Sequence, residues 1–468
     1  MSRLSVWLGG EHVGWLSHDA QTNRFAFEYT PAWVSGARAF PISPSLPLTP
    51  PVAMTPDAHS ADVRIFFDNL LPEGHALDDA ARAAGTSKTN LVALMLSLGG
   101  EVAGALRVLS EDAATNPAAA AGEDRLREVS KEELSARIRE RAHMPFSVWD
   151  RKVRLSIAGY QDKIAVCERD ARWFLVDGPR MASTVIIKPA PTDPRLASVP
   201  YNEYMCMQLA RYCGLAVATT RLAHVPEPLL LVDRFDRVNE GDRVRRIHVI
   251  DGCQALGRAV TFKYERNLGS GHDVRHIRDG VSLPKLFGVL EQSRQPAVDR
   301  QALLKWVIFQ LLVGNTDAHG KNVTFFSDAQ GLQFAPMYDV VCIPAIGASD
   351  IEEEYAMAIG DAFSDREISP YEWANFAESC RVPLRNVARQ LQQLATEVVE
   401  QLPIVVSDVA QAGVPPAVAT AVGKVVSENC RRHLAIVNVI GKAKSLVSTP
   451  AAKATLRPAR PRAARRGY

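Results

Sequence analysis

One short polar segment between two apolar ones sets the strongest constraint on how this chain can fold. The segment GNTDAHGKN, residues 314–322, follows QALLKWVIFQLLV, which is apolar almost all round and predicts a buried helix of about three turns. Gly314 is a natural end for that helix, and the following VTFF is β-branched and aromatic, which predicts a strand. A polar loop held between a buried helix and a strand is costly unless its side chains have a function.

Two side chains of this loop have the spacing of a kinase catalytic loop. Asp317 and Asn322 are separated as in D-x-x-x-x-N, where the Asp accepts the proton of the substrate hydroxyl and the Asn binds a metal ion. This interval alone is a weak signal, because it recurs by chance. The alternative is that Asp317 and Asn322 only cap turns and that Asp339 caps a helix.

The next segment adds a carboxylate to the same place. VTFFS, DAQG and LQFAP predict a hairpin that closes at residues 328–331 and pairs Ser327 with Leu332. Counting back along the hairpin brings Tyr338 and Asp339 beside Asn322. A carboxylate and an amide oxygen at the mouth of a cleft suit Mg²⁺, which binds few protein ligands together with substrate phosphates.

A lysine on a strand is the next part that a kinase requires. TVIIKPA supplies Lys188 at the end of an apolar strand, and Glu203 begins the helical pattern NEYMCMQLARY fifteen residues later. A strand Lys paired with a helix Glu holds the lysine on the ATP phosphates in kinases. The alternative for Lys188 is a strand-end lysine that extends to solvent.

The stretch LSIAGYQDK, residues 155–163, predicts a turn between two strands. It has one glycine, so it is neither a Walker A nor a GxGxxG loop. Its backbone N–H groups, with Ser156, Gln161 and Lys163, could still form an anion-binding nest.

Composition narrows the class of protein. The 468 residues are 47% hydrophobic and 23% charged, which is ordinary for a globular protein of two or three domains. The seven cysteines form an odd set without a CxxC pair, which favours free thiols in a reducing cytoplasm over disulfides or zinc. No signal-peptide pattern and no apolar stretch of membrane-spanning length is present, so we expect a cytoplasmic protein without membrane contact.

The order of the patterns predicts an N-terminal α+β part, then a β-rich lobe, then a helical lobe. The proline-rich ISPSLPLTPPVAMTPDA follows an opening meander, and helical patterns run from about Val63 to Leu98. The expected units are an N-terminal subdomain (1–111), a linker-like segment (112–124), a nucleotide-binding lobe (125–235), a helical catalytic lobe (236–448) and a basic tail (449–468). The tail holds one Lys, five Arg and no acid, and its Pro- and Ala-rich composition predicts disorder.

Seven segments in this order resemble the HipA family of bacterial serine/threonine kinases, the toxins of type II toxin–antitoxin pairs. They are SIAGYQDK, VIIKPA, NEYMCMQLA, VDRFDR, DGCQALG, GNTDAHGKN and APMYDV, and the early FFDNLLPEG resembles the N-terminal subdomain of that family. The resemblance spans roughly residues 3–440. It implies an α+β, bilobal, protein-kinase-like fold of the HipA type, with ATP and Mg²⁺ as cofactors.

The resemblance also implies a role for individual residues. Asp317 is expected to be the catalytic base, Asn322 and Asp339 the metal ligands, Glu203 the residue that orients Lys188, and Ser156 a site of inactivating autophosphorylation. The expected ATP-binding residues are the loop Ala158, Gly159, Tyr160, Gln161, Asp162 and Lys163, then Lys188, the hinge Asp233, Arg234 and Phe235 with adenine on its backbone, and His319, Gly320, Lys321, Asn322, Tyr338 and Asp339.

The family implies partners as well. A helix-turn-helix antitoxin similar to HipB would neutralise the kinase, and the protein substrate would be a translation factor, namely an aminoacyl-tRNA synthetase, with growth arrest as the outcome. The segment DAFSDREIS is acidic where a DNA-binding member can be lysine-rich. We therefore expect contact with operator DNA only through the antitoxin, and expect Arg431 and Arg432 to be solvated.

Two other functions are compatible with parts of the sequence. The first is a transcriptional co-repressor with a vestigial kinase site, although a dead site has no reason to keep Lys188, Asp317, Asn322 and Asp339 together. The second is a metal-dependent phosphohydrolase built on TDAH, which would need a His/Asp cluster that the rest of the sequence does not supply.

Overall fold

The N-terminal part of the chain is built on an antiparallel sheet. The structure, a computed structural model, describes residues 2–115, 123–150, 152–154, 161–347 and 353–443. The strands are β1 (Ser2–Leu8), β2 (Glu11–Asp19), β3 (Arg24–Tyr29) and β4 (Leu106–Ser110), in the order β3-β2-β1-β4. The predicted meander is confirmed. The fourth strand was not predicted, because its partner β1 lies about a hundred residues earlier and no local pattern marks the pairing.

Helices cover the sheet and lead toward the rest of the molecule. They are α1 (Pro31–Val34), α2 (Pro56–Asp68), α3 (Gly74–Ala83) and α4 (Leu91–Leu98). The predicted start at Val63 is wrong by two turns. Thr55 caps α2 by accepting a hydrogen bond from the Ala58 N–H at 3.2 Å, and Pro56 takes the first helical position, where its missing N–H costs nothing. The cap lies at the end of the proline-rich segment, and the first turns are exposed, so the apolar pattern begins later than the helix.

The middle of the chain forms a six-stranded antiparallel sheet in the order β11-β12-β10-β8-β9-β5. Its strands are β5 (Arg125–Val129), β8 (Ile164–Arg169), β9 (Arg172–Asp177), β10 (Val185–Pro189), β11 (Thr220–His224) and β12 (Pro228–Asp233), with the short pair β6 (Val148–Trp149) and β7 (Lys152–Val153) beside it. The apolar strand predicted from TVIIKPA is confirmed as β10. The two edge strands were missed, because the RLREV and TRLAH sequences lack the apolar runs of buried strands.

A buried ionic cluster joins the N-terminal part to this sheet. Glu101 accepts hydrogen bonds from the Ser183 hydroxyl at 2.7 Å and from Arg246 at 2.8 Å, and Arg234 and Arg237 lie 3.3 and 3.2 Å away. Burial opposes ionisation, but the arginines prevail and hold the pKa of Glu101 well below its usual range. These ion pairs therefore connect the N-terminal part to the segment that follows β12.

The remainder of the described chain is mainly helical, but residues 236–443, which were predicted as a helical lobe, also contain five strands. Its helices are α5 (Asp112–Thr115), α6 (Lys131–Glu140), α7 (Val199–Tyr212), α8 (Gly252–Ala255), α9 (Leu283–Val289), α10 (Pro296–Val313), α11 (Pro370–Ser379), α12 (Leu384–Gln411) and α13 (Pro416–Ile440), and its strands are β13 (Arg237–Glu240), β14 (Arg243–Arg246), β15 (Val249–Asp251), β16 (Thr324–Asp328) and β17 (Gly331–Phe334). α10 is the central buried helix, with α12 and α13 packed against it.

Some expectations concern parts of the chain that the structure does not describe. Ser156, Ala158, Gly159, Tyr160 and the tail 449–468 lie outside the described residues. Within those that it does describe, no helix has the length and apolar character needed to cross a bilayer. Arg432 forms an ion pair with Asp365, so its charge has a partner within the fold.

Candidate active site

A cavity of about 890 Å³ lies where the N-terminal part, the six-stranded sheet and the helical part meet. Apolar side chains such as Ile186, Val232 and Val341 line part of its wall, and charged side chains line the rest. A pocket of this size with convergent polar groups is typical of a small-molecule site. Most of the residues predicted from the sequence meet here.

The loop 314–322 is held in shape before any ligand arrives. α10 ends at Gly314, whose φ of 72° is the left-handed conformation that favours glycine. Asn315 donates to Gln310 Oε1 at 2.8 Å and accepts from the Asp317 N–H at 3.2 Å. Asn322 closes the loop by donating from Nδ2 to the Asp317 carbonyl at 2.9 Å, which leaves its amide oxygen as the remaining polar atom of the side chain.

The hairpin after the loop has the predicted register. Ser327 pairs with Leu332 and Asp328 with Gly331. The Tyr338 hydroxyl donates to the Lys321 carbonyl at 2.6 Å and lies 2.7 Å from Thr324 Oγ1, so residues 338–339 run beside the loop. Asp339 and Asn322 therefore both line the cavity, as the hairpin count predicted. Asp339 adopts φ of 58°, which is uncommon for a residue other than glycine and is found at functional sites.

Lys188 lies between two carboxylates. Its Nζ donates to both oxygens of Glu203, at 2.8 and 3.0 Å, and to Asp339 Oδ1 at 2.6 Å. Lys188 and Glu203 are both buried, so the charge of each depends on its partner. The predicted pair is confirmed, although α7 begins at Val199, one turn before Glu203.

The charges of the cavity shift one another's pKa values. Burial opposes the charge of Lys188, but Asp339 and Glu203 outweigh it and raise its pKa above the usual value. Asp339 is likewise held ionised against burial, with its pKa lowered to about 2 by Lys188 and Lys163. Burial and the charge of Lys188 lower the pKa of Lys163 to about 8. A cluster of this kind is typical of a functional site.

The Asp317 carboxylate has a different environment. It faces the open cavity, but the surrounding walls raise its pKa to about 6 by burial, against the effect of a hydrogen bond from Tyr264. The nearby His319 is neutral, because burial and Lys263 lower its pKa to about 3. Asp317 is thus a carboxylate that can take up a proton close to neutral pH, as a general base must.

The predicted hinge residues lie at and just after the end of β12, and their backbone contact with adenine stays a prediction. The N–H groups of Asp233 and Arg234 donate to the Thr219 and Thr184 carbonyls at 2.9 and 2.8 Å, and the Arg234 side chain belongs to the Glu101 cluster. Among the described residues, Val232 of β12 lines the cavity, and Asp233, Arg234 and Phe235 do not.

Other members of the predicted set make contacts that their sequence did not reveal. Lys321 Nζ is buried and donates to the carbonyl and side-chain oxygens of Asn69, both at 3.0 Å, and to Asp251 Oδ2 at 2.5 Å. Gln161 donates to the Pro189 carbonyl at 3.1 Å, and Asp162 lies 3.9 Å from Arg141. Gly320 is not among the described residues that line the cavity, and a side chain at its position would meet Val281.

Sequence reasoning missed one wall of the cavity. Asn69 and Glu73 of FFDNLLPEG line it, and Glu73 forms an ion pair of 2.6 Å with Lys263. Tyr264 beside it donates from its hydroxyl to Asp317 Oδ1 at 2.6 Å. These residues lie in irregular segments without periodicity, and only the family resemblance of FFDNLLPEG could have drawn attention to that wall.

Comparison with known proteins agrees with this arrangement. The HipA N-terminal domain matches residues 4–109, and the HipA-like C-terminal domain matches residues 155–402. The serine/threonine-protein kinase toxin HipA of Shewanella oneidensis is 37% identical over 86% of this chain and 90% of its own length. The protein Y4mE of Sinorhizobium fredii is 32% identical over 86% of this chain and 92% of its own length.

A solved structure gives the same result in three dimensions. The complex of Shewanella oneidensis HipA with HipB and its operator DNA matches with a TM-score of 0.82 and 34% identity, covering 94% of this chain and 100% of the matched one. The predicted kinase-like fold of the HipA type is thereby confirmed. The chain belongs to the HipA family of serine/threonine-protein kinase toxins.

Proposed function

We propose that this chain transfers the γ-phosphate of ATP to a serine of a translation factor, an aminoacyl-tRNA synthetase, and thereby arrests growth in the cytoplasm. The observation that carries the proposal is the convergence of Lys188, Asp317, Asn322 and Asp339 on one cavity, with Lys188 already paired to Glu203. The same convergence argues against a co-repressor with a vestigial site. Of the residues described, no three His, Cys, Asp or Glu side chains cluster as a metal site for a phosphohydrolase.

The residues divide the reaction among themselves. Asp317 accepts the proton of the serine hydroxyl as its oxygen attacks the γ-phosphorus, and the bond to the β–γ bridging oxygen breaks as ADP leaves. Lys188, oriented by Glu203, and Lys163 bind the phosphates. We expect adenine to lie against Val232, where β12 reaches the cavity, and not against the side chains of Asp233, Arg234 or Phe235.

The cavity has ligands that fit Mg²⁺. Asp339 is held ionised, and the orientation of Asn322 leaves its amide oxygen as the remaining polar atom, so the pair offers two hard oxygen ligands. Mg²⁺ bound there with the nucleotide would neutralise negative charge on the phosphates. Lys188 donates hydrogen bonds to both Asp339 and Glu203. We propose that it exchanges its contact with Asp339 for one with the phosphates when ATP binds, while it keeps its contact with Glu203.

We infer a helix-turn-helix antitoxin similar to HipB as the partner that neutralises the kinase. The support is the matched Shewanella oneidensis complex, in which HipA is bound together with HipB and operator DNA. Contact of this chain with operator DNA is proposed to be indirect, because DAFSDREIS carries acidic residues. Negative charge there opposes the phosphate backbone.

Incubation with γ-labelled ATP and a lysate of the host, followed by mass spectrometry of the labelled proteins, tests the function. We expect a serine of an aminoacyl-tRNA synthetase to carry the label. Purified synthetase should then be phosphorylated by the purified chain, and the Asp317→Asn variant is the matched control. Failure of the active chain to label any protein under these conditions would refute the kinase assignment.

Autophosphorylation at Ser156 is a further part of the proposal and gives a separate prediction. Incubation with Mg·ATP alone should phosphorylate this serine and progressively inactivate the chain, because about 1.5–2 negative charges arrive next to the phosphate loop. The neighbouring Arg154 is a poor partner for that charge, since it is nearly buried and already pairs with Asp177 at 3.0 Å. We expect repulsion between the phosphoserine and the ATP phosphates to displace the loop from the nucleotide.

Intact-mass spectrometry and activity measured over the same time course check this prediction. Ser156→Ala should bind ATP and stay active for longer than the unmodified sequence. Asp317→Asn should remain unphosphorylated until active enzyme is added. Activity that persists in fully Ser156-phosphorylated protein would contradict the proposed regulation.

A further inference from the structure

A tyrosine outside the predicted set is in direct contact with the proposed base. The Tyr264 hydroxyl donates to Asp317 Oδ1 at 2.6 Å, and both side chains line the cavity. We propose that Tyr264 is a positioning residue that fixes the Asp317 carboxylate through Oδ1 and leaves Oδ2 to receive the proton of the acceptor serine. This inference rests on the proposed function, because it takes Asp317 as the base.

The backbone on both sides of Tyr264 is fixed. The Lys263 carbonyl accepts a hydrogen bond from the Gly320 N–H of the catalytic loop at 2.9 Å. On the other side, the Glu265 N–H donates to the Ala356 carbonyl at 2.9 Å. The segment is thus tied to the same loop that carries Asp317, so the tyrosine and the carboxylate keep their relative position. A movable lid would not have these ties.

Side-chain contacts orient the tyrosine ring. The ring meets the His319 ring edge to face, with centroids 5.2 Å apart. Lys263 Nζ lies 5.4 Å from the tyrosine centroid and is itself held by Glu73 at 2.6 Å. The ring therefore has contacts on two sides, from the catalytic loop and from a lysine anchored by the N-terminal part, while 37% of the residue stays exposed. In this orientation its hydroxyl reaches Asp317.

The chemistry of a carboxylate explains what this contact does. An ionised carboxylate only accepts hydrogen bonds, and each bond that it accepts favours the ionised form. The hydrogen bond from Tyr264 at 2.6 Å therefore holds Oδ1 as an acceptor in one orientation and leaves Oδ2 on the other side of the carboxyl group. Burial raises the pKa of Tyr264, so the hydroxyl keeps its proton and acts only as a donor.

The same contact could have another meaning. The tyrosine hydroxyl could stand where the acceptor hydroxyl must bind, in which case substrate would have to displace it. The two roles predict opposite effects of removing the hydroxyl: a fall in kcat for a positioning residue, and a gain in kcat/KM for a competitor. The fixed backbone and the ring contacts favour the first role, because displacement would have to break them.

Tyr264→Phe is the decisive variant, because it removes the hydroxyl and keeps the ring and its packing. The values of kcat and KM should be measured with γ-labelled ATP and myelin basic protein as a generic acceptor. We expect kcat to fall by roughly tenfold, since a hydrogen bond that orients a charged group is lost. KM for ATP should stay unchanged, because the tyrosine contacts the base and not the lysines.

Tyr212→Phe is the matched control. Its hydroxyl also donates to a carboxylate, that of Asp408, but neither residue lines the cavity in the described part of the chain. Its kcat and KM should equal those of the unmodified sequence. An unchanged kcat in Tyr264→Phe, or a gain in kcat/KM, would overturn the inference. The kinase assignment would still stand if the unmodified sequence is active and Asp317→Asn is inactive. An inactive parent would overturn both.

Discussion

Asp317→Asn is expected to lower the rate of phosphoryl transfer by about 10²–10⁴-fold, the usual contribution of a positioned general base. Asparagine cannot take the proton of the serine hydroxyl, but it has the same shape. Its side-chain oxygen can still accept from Tyr264, and the backbone bonds to Asn315 and Asn322 do not depend on the carboxylate. The fold should therefore survive.

Initial rates with saturating ATP, together with thermal unfolding and ATP binding, separate these effects. The variant should bind ATP and unfold at the temperature of the unmodified sequence. Asp408→Asn is a suitable control, because it makes the same chemical change in a residue that hydrogen-bonds Tyr212 on another surface. Full activity of the Asp317→Asn variant would show that Asp317 is not the base. If the variant unfolds at a lower temperature, ATP binding shows whether the lost rate comes from the missing base or from loss of the fold.

The pH dependence gives an independent check of the same residue. Burial raises the pKa of Asp317 to about 6, above the usual value for an aspartic acid. A base works only when it is deprotonated, so activity should be full above this pKa and should fall as the pH is lowered through about 6. An ordinary exposed aspartate would keep the enzyme active about two pH units lower. A profile that is flat down to about pH 4 would show that another group takes the proton.

Much of the candidate site could be predicted from local patterns in the sequence. The helix that ends at Gly314 and the register of Ser327 with Leu332 follow from periodicity and turn chemistry in short windows of sequence. The pairing of Lys188 with Glu203 was predicted by analogy with the strand lysine and helix glutamate of kinases. In each case the interacting residues belong to adjacent elements, or the pattern fixes the geometry between them. The phosphate loop is different, because SIAGYQDK is a turn by composition and only the family resemblance gave it a role.

The long-range contacts could not be predicted in this way. Glu101 reaches three arginines that lie more than 130 residues further along the chain, and Asn69 meets Lys321 across 252 residues. Nothing in a local window distinguishes an arginine that will be buried from one that will be solvated. The same limit applies to Arg234, whose side chain completes an ionic cluster that no local pattern indicates.

Lys188 should be the most sensitive residue of the site for stability and activity together. Lys188→Met removes the cation that is proposed to bind the phosphates. It also leaves the fully buried Glu203 without the donor of its two hydrogen bonds. Breaking a buried ion pair on one side costs about 3–5 kcal/mol of unfolding free energy. ATP binding, measured by calorimetry, should fall below detection, and the denaturation midpoint should drop.

The two losses can be separated with a second change. Adding Glu203→Leu to Lys188→Met replaces the buried ion pair by apolar side chains of similar size, which is often neutral or stabilising. The double variant should therefore regain most of the unfolding free energy and none of the ATP binding. Glu203→Gln alone should bind ATP more weakly than the unmodified sequence but better than Lys188→Met, because Lys188 keeps Asp339 at 2.6 Å. If the double variant binds ATP, Lys188 serves only the fold, because that variant is folded but lacks the positive charge that is proposed to bind the phosphates.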